Sequence, residues 1–373
     1  MALRFGNAVL VRSGLLHRAN LPVATALRTR LAFSTGATGK GGDDAAVLEE
    51  NKAKINAAWN SSAEAYVGNI QDDASSASLK VSQGMNVGYK LATRIVTSAY
   101  DKVEPKEPGA PVVLDVASAG GEPAITIAKA MPGATIHATD FAPAMMDLIR
   151  KRAAEGGVSN VTASVADGEA LTGFGDESVD AVTCTWGMLF MPNWQSAVQE
   201  FSRVLKKDGV VVVTLWEGHE GSVFQLMRSV LETLIPGFEP LIDAEALGKD
   251  GGSAVVEEMK AAGLCDVSAS KFSVPVVLSA DARPRDIWEY YTESSPLGQT
   301  MSALEEKGRT NVRQEAMDMF EGAMNKEWAE GRNPLGLQKE DDGVDGGSSP
   351  AASRPPRIYY VRALVVVGRK VGG

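Results

Sequence analysis

Three aspartates stand where strand-like segments end. Asp115 follows Val112-Val113-Leu114, Asp140 follows Ala134 to Thr139, and Asp167 comes just after Val161 to Val165. Carboxylates in such places accept hydrogen bonds and complement positive charge. The loop after Asp115, Ala117-Ser118-Ala119-Gly120-Gly121, is built from small residues. A pyrophosphate needs amides and glycines at such a loop, and Asp115 would repel it. A phosphate-free nucleoside that carries an α-amino cation and a sulfonium suits Asp115 instead, and Asp140 can accept both ribose hydroxyls.

The elements that must position these acids alternate in type. The apolar run Val112 to Leu114 reads as a buried parallel strand. Glu122 and Pro123 suit a first helical turn, where an acid meets the positive end of the dipole and a missing amide costs nothing. A helix over Ala124 to Ala130, Pro132-Gly133 and a second strand complete one βαβ unit. A helix that starts within Phe141 to Met146 and runs to about Ala154, and a third strand, Val161 to Val165, follow. Asp176 to Thr185 supplies a fourth strand, whose end carries Trp186, Met188 and Phe190. In an open parallel sheet ligands bind beyond the carboxyl ends of the strands, so this apolar segment is expected to line the pocket.

In order and spacing, Val112 to Trp216 resembles the class I S-adenosylmethionine-dependent methyltransferases, in particular the small-molecule group that includes the ubiquinone/menaquinone C-methyltransferases. The family's D-x-G-x-G-x-G stands here as Asp115-Val116-Ala117-Ser118-Ala119-Gly120-Gly121, and its R-V-L-K-P-G-G as Arg203 to Gly209. The resemblance implies S-adenosylmethionine as cofactor. It also implies a Rossmann-like α/β fold, with a seven-stranded, mostly parallel sheet of order 3-2-1-4-5-7-6. Helices cover both faces, and helical lid segments are added. The cofactor residues it implies are Asp115, Ala117, Ser118, Ala119, Gly120, Asp140, Phe141, Met145, Asp167, Gly168, Thr185 and Trp186. Met145 would flank the adenine, and Asp167 would accept from its amino group. Asp167 also reads as a helix N-cap. An N-terminal helical region packs over the cofactor in this family, which places Trp59 and Tyr66 in a substrate pocket with Met188, Phe190 and Trp216; core packing is the simpler reading of those two rings. Glu217 and His219, just past the fifth strand (Val210 to Leu215), are candidates for a general base, and a surface-loop role for His219 is the plainer one.

Composition narrows the function further. Residues 1–42 hold Arg4, Arg12, Arg18, Arg28, Arg30 and Lys40, scattered hydroxyl residues and no acid, the composition of a mitochondrial transit peptide directing the protein to the matrix. Without those six basic residues, 31 basic and 47 acidic side chains remain, a formal −16, which disfavours nucleic acid and anionic membrane. No stretch has the apolar length to span a bilayer. Two cysteines, Cys184 and Cys265, lack metal-site spacing, and with only His137 and His219 beyond the front no metal is expected. The expected layout is a helical lid over 43–104, a cofactor core over 105–217, and a cap insertion with the closing strands over 218–373. Within the last, Gly221 to Ala262 is read as helices over the pocket and 337–356 as a flexible loop.

These readings together describe methyl transfer by SN2 displacement to a small molecule through O, S or C: a small acid, a thioether acid or a quinone-like ring. A non-catalytic assembly factor that kept the fold is the alternative, an NAD-dependent oxidoreductase is disfavoured by Asp115, and a homodimer is left open.

Overall fold

The computed structural model describes residues 42–71, 79–101, 109–218, 222–236, 238, 245–278, 282–293, 297–330, 332, 334, 337–338 and 357–371. The expected transit-peptide segment, 1–42, apart from its last residue, and most of the expected loop 337–356 lie outside them.

Seven long strands form the sheet: β1 Val112–Val116, β2 Thr135–Asp140, β3 Val161–Val165, β4 Val179–Thr185, β5 Leu205–Trp216, β6 Leu264–Leu278 and β7 Arg357–Lys370. Their order is 3-2-1-4-5-7-6, with β7 antiparallel to both neighbours and the first five mutually parallel. Two two-residue strands, 79–80 and 337–338, add to β6 and β7 respectively, so the expected flexible loop begins as paired backbone.

Parallel strands buried on both faces need helices on both, and strand alternation shows how the residues divide. On one face Val113, Ile136, Ala138, Val210 and Val212 pack beneath α1 (Gly42–Gln71), α2 (Val81–Asp101), α3 (Ala124–Ala130) and α4 (Met145–Glu155). On the other, Leu114, Val182, Val211 and Val213 meet α5 (Trp194–Val204) and α7 (Ser253–Ala261). A third cluster covers the carboxyl ends of β4 and β5, where Trp186 and Trp216 pack with α6 (Val223–Leu234), α8 (Pro284–Glu293), α9 (Leu297–Glu306) and α10 (Val312–Ala329).

Two expectations are corrected here. The segment Gly221 to Ala262 does not lie wholly over the pocket. Only α6 joins the cap, because Val255 and Met259 of α7 are fully buried against the opposite sheet face. The fifth strand begins at Leu205 rather than Val210: the backbone passes from α5 straight into β5, and Asp208 supplies the turn in a left-handed conformation, φ 65°.

Phe201 on α5 is fully buried between sheet and α7. Phe201→Ala is expected to cost about 3–5 kcal/mol, read as a lower urea midpoint with an unchanged m-value.

Candidate functional site

The loop after β1 is shaped by a buried acid. Asp115 is fully buried, and its carboxylate accepts from Ser118 Oγ at 2.6 Å, Thr183 Oγ1 at 2.6 Å and the Ala124 amide at 3.2 Å. These bonds tie the start of the loop, a neighbouring strand and the start of α3 to one group. The loop then turns through left-handed backbone at Ala117 (φ 57°), Ala119 (φ 47°) and Gly121 (φ 98°). A left-handed alanine costs roughly 1–2 kcal/mol. The alanines therefore keep the path that glycines would take, at an energetic cost. Gly187 makes room for this path: a Cβ there would stand 2.4 Å from that of Ala117.

Asp140, at the end of β2, faces the other way. Its Oδ2 accepts from the Ala119 amide and its Oδ1 from the Ala142 amide, both at 2.9 Å, and it lines a cleft of about 750 Å³. Ala117, Ala119, Phe141, Met145, Asp167, Gly168, Thr185 and Trp186 share that wall, as do Trp59, Tyr66 and Phe190. Trp59 forms edge-to-face pairs with both Tyr66 and Phe190, at 5.1 and 4.9 Å between centroids. Burial raises the Tyr66 hydroxyl to about 12, so it remains protonated at neutral pH.

Other residues expected at the site lie elsewhere. Asp115 and Ser118 bond each other behind the wall, so neither lines the cleft, and the expected direct contact of Asp115 with a cofactor cation is corrected. Gly120 is buried, its carbonyl accepting from Arg152. Met188 is fully buried among the sheet's apolar side chains. Trp216 lies behind Trp186, stacked at 4.1 Å with 19° between the rings, and so supports the wall without forming it. Glu217 is buried, ion-paired to Lys271 at 2.5 Å and to Arg362 at 3.4 Å, and lines no part of the cleft. A carboxylate between two cations behind the wall is poorly placed to take a proton from a substrate. His219 lies outside the described residues.

Nine lining residues escaped the sequence reading, among them Lys52, Ile55, Glu169 and Met191. The first two had a signal. Lys52, Ile55, Trp59 and Tyr66 fall on one stripe of a helix, but the stripe mixes a charge with rings and so reads as ordinary surface and core.

The donor set fits a cationic nucleoside. Three acids, Asp140, Asp167 and Glu169, line the cleft against one cation, Lys52, among the described residues. No cluster of cations marks a phosphate site there. Thr185 Oγ1 and Trp186 Nε1 are buried without a hydrogen-bond partner among the described residues, and Trp186 holds a strained φ of 61°. Unpaired polar atoms and strain concentrate where ligands are handled. The described residues contain no His/Cys/Asp/Glu group able to hold a metal.

Known proteins resemble the central part of the chain. Residues 113–209 match the family model described as Methyltransferase domain. Over those residues the chain is similar to that methyltransferase family. An uncharacterized protein of Mycobacterium tuberculosis is 34% identical over 118 residues, 31% of this chain and 42% of its own. Demethylmenaquinone methyltransferases of Deinococcus radiodurans and Thermus thermophilus are 32% and 36% identical over 139 and 131 residues; the matches span 36% and 35% of this chain and 55% and 59% of theirs. The chain thus spans about half the length of the curated relatives it matches. Among solved structures, the YcgJ protein of Bacillus subtilis aligns with 78% of this chain and 99% of its own at 17% identity and a TM-score of 0.45.

Burial lifts the Asp115 carboxyl to about 7, from an ordinary value near 4. Between those values the folded protein keeps a proton that the unfolded chain has released. Stability therefore falls as pH rises through that window and levels off above it. Urea unfolding at pH 5 and pH 8 measures this, and Asp115→Asn is expected to show a smaller fall than the wild type.

Proposed function

We propose that this protein transfers a methyl group from S-adenosylmethionine to a planar, apolar small molecule in the mitochondrial matrix. Asp140 carries the reading. Two loop amides fix its carboxylate at the mouth of β2, and it faces a cleft whose other acids exclude a pyrophosphate. Lone pairs remain on both oxygens for the ribose hydroxyls. Met145 and Phe141 offer apolar surface to the base, and Asp167 an acceptor for its amino group. The methyltransferase domain over 113–209 supports the same assignment.

When bound, the cofactor supplies a methyl group already activated by its sulfonium. The chain's own residues then have to align the acceptor and keep water out. Trp59, Tyr66, Phe190 and Trp186 wall the cleft with aromatic faces. Aromatic faces also attract the positive charge near the transferring carbon. These walls favour a quinone-like ring over a small acid, because Lys52, the one lining cation among the described residues, is already paired with acids. Relatives named demethylmenaquinone methyltransferases support that class of acceptor. The basic, acid-free front supports the matrix setting.

Calorimetry with S-adenosylhomocysteine tests the reading. The wild type is expected to bind, and Asp140→Ala to lose about 1–3 kcal/mol of that affinity through the ribose bonds. Unchanged affinity in Asp140→Ala removes the site. No binding by the wild type at millimolar ligand favours the non-catalytic assembly role. A screen of organelle extract with labelled methyl donor then identifies the acceptor by the mass of its product.

A further inference from the structure

Lys52 is enclosed to a degree unusual for a lysine on a surface helix. Its side chain is 11% exposed, and its ammonium lies 2.5 Å from Asp167 Oδ2 and 2.9 Å from Glu169 Oε2. The ring of Phe141 lies 5.9 Å away. Both acids are themselves held: Asp167 Oδ1 accepts from the Glu169 amide at 2.9 Å, and Glu169 Oε1 from the Asn193 amide at 2.7 Å. One half-buried cluster thereby joins α1, the loop after β3 and the turn before α5. Farther along α1, Asn56 Nδ2 donates to the Phe141 carbonyl at 2.7 Å, and Asn60 Oδ1 accepts from the Ala144 amide at 2.9 Å. The helix is thus fastened along the cleft's nucleoside end.

Resting on the function proposed above, we propose that Lys52 and Asp167 form one donor–acceptor pair that reads the purine of the methyl donor and pins α1 across it. A carboxylate answers the amino group of adenine but donates nothing to the acceptor nitrogens of the ring. An ammonium beside it adds a donor, so the pair presents both halves of the pattern. It also neutralises Asp167 and Glu169, which would otherwise repel each other at this distance. Hypoxanthine reverses the pattern: a carbonyl replaces the amino group, and the adjacent ring nitrogen carries hydrogen. Asp167 would then meet an oxygen. The cation therefore acts in recognition and in closure at once, and its half-buried pairs are screened less than fully exposed ones.

Calorimetry on the full chain with S-adenosylhomocysteine and S-inosylhomocysteine, with hydrogen exchange across α1, tests this. The wild type is expected to prefer the adenosyl ligand at least tenfold. Lys52→Met is expected to lose about tenfold in adenosyl affinity and most of the preference, with faster exchange in α1; Lys52→Arg recovers part of both. Glu169→Gln, which leaves the Asp167 contact in place, is expected to loosen α1 with a smaller loss of affinity, and it serves as the second variant if Lys52→Met does not fold. Adenosyl affinity within twofold of wild type in Lys52→Met, or an equal loss for both ligands, overturns the recognition. A wild type that binds neither ligand defeats the methyltransferase reading itself; the pin is then judged by exchange alone, and unchanged exchange in Lys52→Met overturns it.

Discussion

A carboxylate with no access to water governs the architecture of this site. Burying Asp115 is unfavourable unless its oxygens are bonded, and its two hydroxyl donors and one amide come from three different elements. Satisfying that one group brings the loop after β1, the strand β4 and the start of α3 into register. The loop then has one remaining course, which takes two alanines through left-handed backbone. Asp140 holds the far side of the loop through the Ala119 amide. Two acids on adjacent parallel strands thus do different work: one is spent on structure, and the other is left facing the cleft.

The second constraint is the filling of space at the end of β4. Trp186 sits at positive φ, stacked on Trp216, with its ring edge against α2 at Gly88, where a Cβ would come within 2.7 Å of the indole. A bulky residue in that conformation persists only when its surroundings over-determine it. Here the stacked partner, the glycine notch and the cap cluster built on Trp288 and Phe320 supply those surroundings. The cap is therefore the outer half of the same packing that sets the cleft wall. Closure from the opposite side comes from α1, whose inward stripe combines two rings with one lysine.

Much of this was legible in the chain, because strands and small-residue loops leave strong local marks. The β-α-β alternation, the strand-end acids and the chemical character of the cleft all follow from residue type and spacing. The sheet order came from the resemblance to the methyltransferases, because central strands buried on both faces, such as β1 and β4, carry no alternation that would rank them. The placement of α7 beneath the sheet was not legible: Val255 and Met259 fit an apolar helix stripe equally well over the pocket or against α5.

Local sequence determined which groups could meet a cationic nucleoside, since an acid at a strand end carries its chemistry wherever the strand lies. Only the tertiary structure decided which acid faces the cleft. Asp115 and Asp140 both lie at the carboxyl ends of adjacent parallel strands, yet packing buried the first behind the wall and left the second lining the cleft. Distance along the chain hid the rest: Lys52 meets Asp167 across 115 residues, and Glu217 is captured by Lys271 and Arg362 from neighbouring strands. Such pairings arise from the folding of remote segments onto one another, and no periodicity in a single segment records them.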